Sequence, residues 1–231
     1  YQVIAYDAES GDIEYQWSDF EPLRQINTSL GWEAQPSISG DGQTLMFAAQ
    51  REESTRDANG NLTVDIFESS IQSDGTWGPP SRLRGPVNSM ANDKAPFLHP
   101  DGQTLYFSSD RSPSGGRFDL WMSKRDSTGN WLAPVNLGLP INSPEDEHRF
   151  VVSTDGEAGV FSRRNHETHS LDLHTFQLPN NLKPEPATVV KGDLGGPLPS
   201  GNVTVNIEFV QSKKIQVIQV SEDDGRFAQV V

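Results

Sequence analysis

The chain has 231 residues, a formal net charge of −14, a sequence pI near 4.6 and no cysteine. A chain of this length buries one large core or divides into a large and a small domain. Its acidity argues against nucleic acid, the missing cysteines exclude disulfide frameworks and cysteine-based zinc sites, and its longest apolar runs are too short to cross a bilayer as helices. Tyr1 stands where an initiator Met is expected and no secretory leader is visible, which reads as a processed or excised chain.

In chain order, Ile4-Ala-Tyr-Asp7 reads as the third strand of a unit whose outer half fills residues 1–30, followed by Trp17, Pro22 and Ile26-Asn27-Thr28. Then comes a phrase that the chain repeats. Glu33-Ala-Gln-Pro36-Ser-Ile-Ser-Gly-Asp41-Gly42-Gln-Thr-Leu-Met-Phe47 returns as Asp93-Lys-Ala-Pro96-Phe-Leu-His-Pro-Asp101-Gly102-Gln-Thr-Leu-Tyr-Phe107. A decayed third copy runs from Glu147 through Phe150 and Asp155-Gly156 to Phe161, so the copies start 60 and then 54 residues apart. Asp-Gly between apolar alternations predicts a hairpin, because Gly accepts positive φ without steric cost.

Each phrase leads through a polar loop (51–61, 111–117) to a short strand: Asp65–Ser69, Asp119–Ser123, and Ser170–Thr175 in the third copy. A turn and a Trp-Pro-Val-Asn phrase follow, from Trp77 to Val87-Asn88-Ser89 and from Trp131 to Ile141-Asn142-Ser143. Four short β-rich runs per unit, without a helical stretch, predict propeller blades, and the repeat favours them over an irregular sandwich. After Leu178 the proline-rich residues 179–186 read as an extended connector without regular pairing. Beyond it, runs at 188–193, 201–207 and 215–220, with turns at Gly195-Gly196-Pro197 and Asp223-Asp-Gly225, predict a small antiparallel module that ends in mid-strand at Val231.

The phrase Glu-x-x-Pro-x-x-Ser-x-Asp-Gly-x-x-Leu-x-Phe, followed by Arg51 or Arg111, resembles the TolB-type, WD40-like propeller repeat. The third copy departs from it, with Phe150 in place of the proline and no Ser-Asp-Arg ending. The Trp-x-x-Pro-Val-Asn phrase resembles outer-membrane-associated OmpA-family proteins of Bacteroidetes, and the tail resembles a carboxypeptidase-regulatory-like module. A propeller followed by that module resembles the PorE-type envelope component of the type IX secretion system. The resemblance implies protein partners in the cell envelope, a periplasmic, outer-membrane-associated location, and peptidoglycan contact through a domain outside this chain.

Glu33, Asp93 and Glu147 share one repeat position just before the innermost strand, so they are candidate ligand-binding residues around an axis. Turn capping by each carboxylate is the competing expectation. Asp57 to Glu68 carries oxygen ligands, but its glycine is misplaced for a calcium loop and a polar hairpin tip fits better. His166 and His169, near His148 and His174, lack the i, i+4 helical spacing of zinc proteases. Neither turn, Asp74-Gly75 before Trp77 or Thr128-Gly129 before Trp131, has the sialidase box spacing, and Arg51 and Arg111 read as structural partners of loop carboxylates. No Gly-x-Ser-x-Gly elbow or phosphate-binding loop is present.

The sequence therefore predicts an all-β chain. A β-propeller of four-stranded blades, forming a partial or complete ring, occupies 1–178; a linker follows at 179–186 and a small β-sandwich module at 187–231. About three and a half blades are visible, where closed propellers have at least four. The expected function is a non-catalytic scaffold that binds protein, with no metal, no cofactor and no nucleic acid. The alternatives are a carbohydrate-active or sialidase-like enzyme and a calcium-dependent adhesion module.

Overall fold

A computed structural model describes residues 2–6, 13–16, 19–113, 117–194, 203–208, 215–220 and 225–230. The expected turn at Gly195-Gly196-Pro197, most of the one at Asp223-Asp-Gly225, Asp7 and Trp17 lie outside them. All regular structure among the described residues is β, apart from one 3-10 turn.

Strands β1 (Gln2–Tyr6) and β2 (Ile13–Gln16) pair antiparallel. The first repeat unit is a four-stranded meander of β3 (Trp32–Ile38), β4 (Thr44–Gln50), β5 (Asp65–Ser70) and β6 (Ser81–Arg82). The second repeats it with β7 (Asp93–Leu98), β8 (Thr104–Ser109), β9 (Asp119–Lys124) and β10 (Val135–Asn136). The third has β11 (Glu147–Val152), β12 (Ala158–Arg164) and β13 (Leu171–Gln177). These are blades: consecutive antiparallel strands, one sheet per repeat, stacked face to face. The three Asp-Gly phrases make the β3–β4, β7–β8 and β11–β12 turns, with Gly42, Gly102 and Gly156 at φ 72°, 68° and 73°. In each turn the Asp accepts backbone N–H groups, as Asp101 does from Gln103 and Thr104 at 2.9 Å.

The core lies between blades. Met46, Ile66 and Leu83 of the first pack against Leu98, Leu105, Phe107 and Trp121 of the second. Tyr106, Leu120 and Met122 of the second pack against Phe150, Val152 and Phe161 of the third. The third unit keeps three of the four expected strands despite its decayed sequence, with seven register pairs between β12 and β13, and no fourth strand pairs with β13 among the described residues.

Residues 179–187 are held against the blades. Asn180–Leu182 forms the 3-10 turn, Leu182 is buried in the second core cluster, and its carbonyl accepts the Tyr106 hydroxyl at 2.7 Å. Lys183 Nζ bonds both oxygens of Glu157, at 2.7 and 2.6 Å, and Ala187 N donates to Thr154 O at 3.1 Å. The segment makes no strand, in keeping with its prolines, yet Leu182 gives it an apolar anchor. Beyond it, β14 (Val189–Asp193) pairs with β17 (Arg226–Val230), the outermost in sequence, and β15 (Thr204–Glu208) pairs with β16 (Ile215–Gln219).

Candidate functional site

The inner strand of every blade carries a β-bulge at one repeat position. Register shifts lie between Ala34 and Ser37, between Lys94 and Phe97, and between His148 and Val151. Gln35, Ala95 and Arg149 sit there at φ 55°, 50° and 53°, a left-handed conformation uncommon for residues other than glycine. The three bulges, with the two residues after each, line one cleft of about 230 Å³. Its walls are mainly apolar, from Pro36, Pro96, Phe97, Phe150 and Val151. Bonds across the first two blades fix its shape: Ala95 N donates to Gln35 Oε1 at 2.9 Å, and Leu98 N donates to Ser37 Oγ at 3.2 Å.

The candidate carboxylates Glu33, Asp93 and Glu147 lie two residues before the bulges, and each is paired with an arginine of its own unit and bonded by a residue of the preceding linker. Arg51 Nη2 donates to Glu33 Oε1 at 2.6 Å and to Ile26 O at 2.8 Å, and the Thr28 hydroxyl donates to the same carboxylate at 2.9 Å. Asp93 accepts Arg111, and also the Ser89 N–H at 2.6 Å and the Ser89 hydroxyl at 2.9 Å, while Arg111 donates to Val87 O. Glu147 accepts Arg163 Nε at 2.8 Å and the Ser143 hydroxyl at 2.5 Å, and Arg163 Nη2 donates to Ile141 O at 2.5 Å. The guanidiniums also lie over aromatic rings: Arg51 over Phe67 at 4.8 Å, Arg111 over Phe107 at 5.1 Å, Arg163 over Phe161 at 5.1 Å.

Among the described residues, no group of three His, Cys, Asp or Glu is placed to hold a metal. Burial pushes the carboxyls of Asp93 and Glu147 above their ordinary values, against the pull of their arginines and hydrogen bonds. The arginine partners differ from the sequence expectation: Arg51 and Arg111 bind inner-strand carboxylates and linker carbonyls rather than loop carboxylates. Arg163 was not singled out by the sequence. It comes 16 residues after its carboxylate, where Arg51 and Arg111 come 18 after theirs, so a search at fixed spacing misses it.

The Val87-Asn88-Ser89 and Ile141-Asn142-Ser143 phrases fasten one blade to the next. Asn88 Oδ1 accepts Ile66 N at 2.7 Å and Nδ2 donates to Ile66 O at 2.9 Å. Asn142 repeats both bonds on Leu120, at 2.8 and 3.0 Å. The following serine then caps the carboxylate of the next blade. His99, at the repeat position of Ser39 and Ser153, is another residue the sequence reading passed over. Its Nδ1 accepts Asp101 N at 3.1 Å, which leaves the proton on Nε2 to donate to Ser153 O of the third blade at 3.1 Å.

Of the remaining candidates, His166 and His169 line one pocket with Glu145 and Asp146, and the others stay apart. Asp57 caps its own turn, accepting N–H groups of Asn59 and Asn61 at 2.8 Å, whereas Asp65 is buried under Thr55, Thr63 and Arg82. His166 is exposed, His174 stacks on Phe161 and His148 lies against Phe118. Trp121 and Trp131 are buried between the first two blades.

No family model matches the sequence, and none of the curated proteins does. Among solved structures, the chain is similar to TolB from Acinetobacter baumannii, with 16% identity over 98% of this chain and 47% of that one, at a TM-score of 0.43. It is similar to a TolB-type protein of Agrobacterium tumefaciens, with 16% identity over 86% of this chain and 58% of that one, at 0.42. It is also similar to an α-L-arabinofuranosidase from Lactobacillus brevis, with 13% identity over 87% and 71%, at 0.41. The chain thus spans about half the length of these TolB proteins. Nothing about ligand or chemistry passes from these proteins to this chain. Among the described residues, no helix is long and apolar enough to cross a membrane.

Proposed function

We propose that this chain works by binding protein rather than by turnover, as a blade-built interaction module of the bacterial envelope. The observation that carries the reading is the contrast at the inner strands. Every repeated carboxylate there is bonded to its own arginine, while the cleft beside them has an apolar wall on a braced backbone. Hydrolysis of a glycosidic bond needs two carboxyl groups facing one substrate. An apolar, pre-formed wall suits a partner side chain or loop, because little ordering is left to be done on binding.

The repeat phrases, linker phrases and tail resemble envelope proteins, and they support a periplasmic, outer-membrane-associated setting. The finer placement, a component of a type IX secretion complex, rests on the order of propeller and tail module.

The test is capture from envelope extract with the full chain as bait, beside a Phe97→Arg variant that charges the cleft wall. A defined partner retained by the wild type and lost by the variant is the expected result. Equal retention by both would remove the cleft from the proposal. Hydrolysis of a glycoside or sialoside panel, abolished by Asp93→Asn, would overturn the binding reading.

A further inference from the structure

The residue before the inner strand of the second and third blades makes the same clasp onto the blade before it. Asn92 Oδ1 accepts the Val64 N–H at 3.1 Å, its carbonyl accepts the Asp110 N–H at 3.3 Å, and Asp93 N donates to Val64 O at 2.7 Å. Asp146 repeats this with the Phe118 N–H at 3.2 Å and the Arg164 N–H at 3.1 Å, and Glu147 N donates to Phe118 O at 2.8 Å. Thr63 and Asp110 thus stand in the first clasp where Arg117 and Arg164 stand in the second. In the first, both residues are spent on the frame. The Asp110 carboxylate accepts the Asn92 N–H at 2.7 Å and its side-chain amide at 2.9 Å, and the Thr63 hydroxyl donates to Thr55 O at 2.9 Å. In the second, Arg117 and Arg164 are exposed, and among the described residues neither side chain has an ion pair or a hydrogen bond.

The clasp forms without arginine, so the fold does not need these two guanidiniums. Bringing them to one pocket sets like charges together, in a chain whose 32 Asp and Glu against 18 Lys and Arg could have paired them. The pocket holds about 410 Å³ and also takes His166 and His169 from the β12–β13 hairpin. That hairpin is braced from within: Asn165 Oδ1 accepts the N–H groups of Glu167 at 3.0 Å and Thr168 at 3.2 Å, and His169 N donates to Asn165 O at 2.8 Å. Two carboxylates, Glu145 and Asp146, share the wall. Asp146 Oδ1 is committed to the clasp, and neither carboxylate forms an ion pair with the arginines. Pro144 is the one apolar residue among the described lining, so the pocket suits a small hydrophilic occupant. We propose that it binds a phosphate group, with Arg117 and Arg164 as charged clamps and His166 and His169 as further N–H donors. A planar carboxylate is satisfied by one bidentate arginine, whereas a tetrahedral oxyanion offers oxygens to donors arriving from several directions. The pocket shares no residue with the inner-strand cleft, and the proposal stands independently of the partner sought there.

Calorimetric titration of the full chain at fixed ionic strength, with inorganic phosphate and with acetate as the carboxylate probe, tests it. Saturable binding of phosphate at one site is expected, with acetate weaker by about tenfold or more. The double variant Arg117→Thr/Arg164→Asp installs the residues of the first clasp, so it should keep the urea midpoint while weakening phosphate by about tenfold or more. Arg164→Gln alone acts in the same direction. Arg56→Gln, at an arginine bonded to Gly60 O within its own loop, leaves binding unchanged. Co-sedimentation with phosphatidylglycerol vesicles separates the two sources of the group. Binding to phosphate and not to vesicles assigns a small phosphate compound, the result expected for a chain whose net charge of −14 opposes an anionic surface. Vesicle binding that the double variant loses assigns a lipid headgroup. A wild-type chain that binds neither phosphate nor vesicles overturns the proposal, as does phosphate binding that both arginine variants retain. Acetate bound as tightly as phosphate overturns the choice of ligand class.

Discussion

The ring of Phe150 occupies the space into which a Cβ on Gly159 would project. At these two repeat positions the first blades have Pro36 with Leu45, and Pro96 with Leu105. The third blade exchanges both at once, a large inner-strand ring above a glycine. Its aromatic stack with Phe176, at 5.6 Å between centroids, uses the volume released.

Gly159→Ala is therefore expected to overpack the third blade and cost about 1–3 kcal/mol. Phe150→Pro alone leaves a cavity and costs about 3–5 kcal/mol. The double variant Phe150→Pro/Gly159→Leu restores the pattern of the other blades, and the residue before the new proline already has their backbone conformation. Urea unfolding midpoints should show the double variant more stable than the sum of its parts. Additive losses would discard the compensation.

The arginine clamps should rank by the burial of their carboxylates. Asp93 is fully buried, so Arg111→Met leaves a buried charge and an unpaired Val87 carbonyl, and is expected to cost about 3–5 kcal/mol. Glu33 keeps 11% side-chain exposure, so Arg51→Met should cost less. Arg111→Lys retains the charge and loses the planar stack on Phe107, giving an intermediate loss. Equal midpoints for Arg111→Met and Arg51→Met would refute the ranking.

The asparagine staples predict a local effect. Asn142→Ala leaves the buried Leu120 N–H without its partner, at a cost of about 1–3 kcal/mol, while the Leu120 carbonyl keeps the Leu137 N–H at 3.0 Å. Hydrogen exchange should accelerate first at the Leu120 amide. Asn142→Asp keeps the acceptor for that amide and should protect it better than alanine does. Exchange at Leu120 unchanged in Asn142→Ala would mean that the staple does not hold β9.

These features mark where the sequence could be read and where it could not. Asp41-Gly42 and Asp101-Gly102 announce their hairpins because the signal is local, a glycine that must take positive φ. The blade order followed from repetition of that local signal. The destination of Glu33, Asp93 and Glu147 was open to two readings, since a shared repeat position says nothing about which arginine reaches each one. Arg163 was hidden by its shifted spacing. Gln35, Ala95 and Arg149 carry no common side chain, so the left-handed bulges that shape the cleft leave no compositional mark. Leu182 looked like part of a spacer because one apolar residue among prolines gives no periodicity.

His148 supplies a prediction about pH. Its ring lies against Phe118, 5.4 Å between centroids, and the Lys94 ammonium stands 3.4 Å from the same Phe118 ring. Burial first, and then the Lys94 charge, hold His148 below the ordinary imidazole value, against the opposing pull of Asp146. A histidine depressed in the folded state binds its proton later on acidification than the unfolded chain does. Stability from this group is therefore intact above the unfolded value of 6.5 and falls as pH drops from there toward the lowered folded value. His148→Gln removes the titration and leaves every carboxylate in place. Its stability difference from wild type should shift in the variant's favour as pH falls from about 7 to about 5, the range in which imidazoles titrate. Urea midpoints measured across that range give the answer. A difference that stays constant with pH would show that His148 titrates alike in the folded and unfolded chain, and would remove Lys94 and burial as its controls.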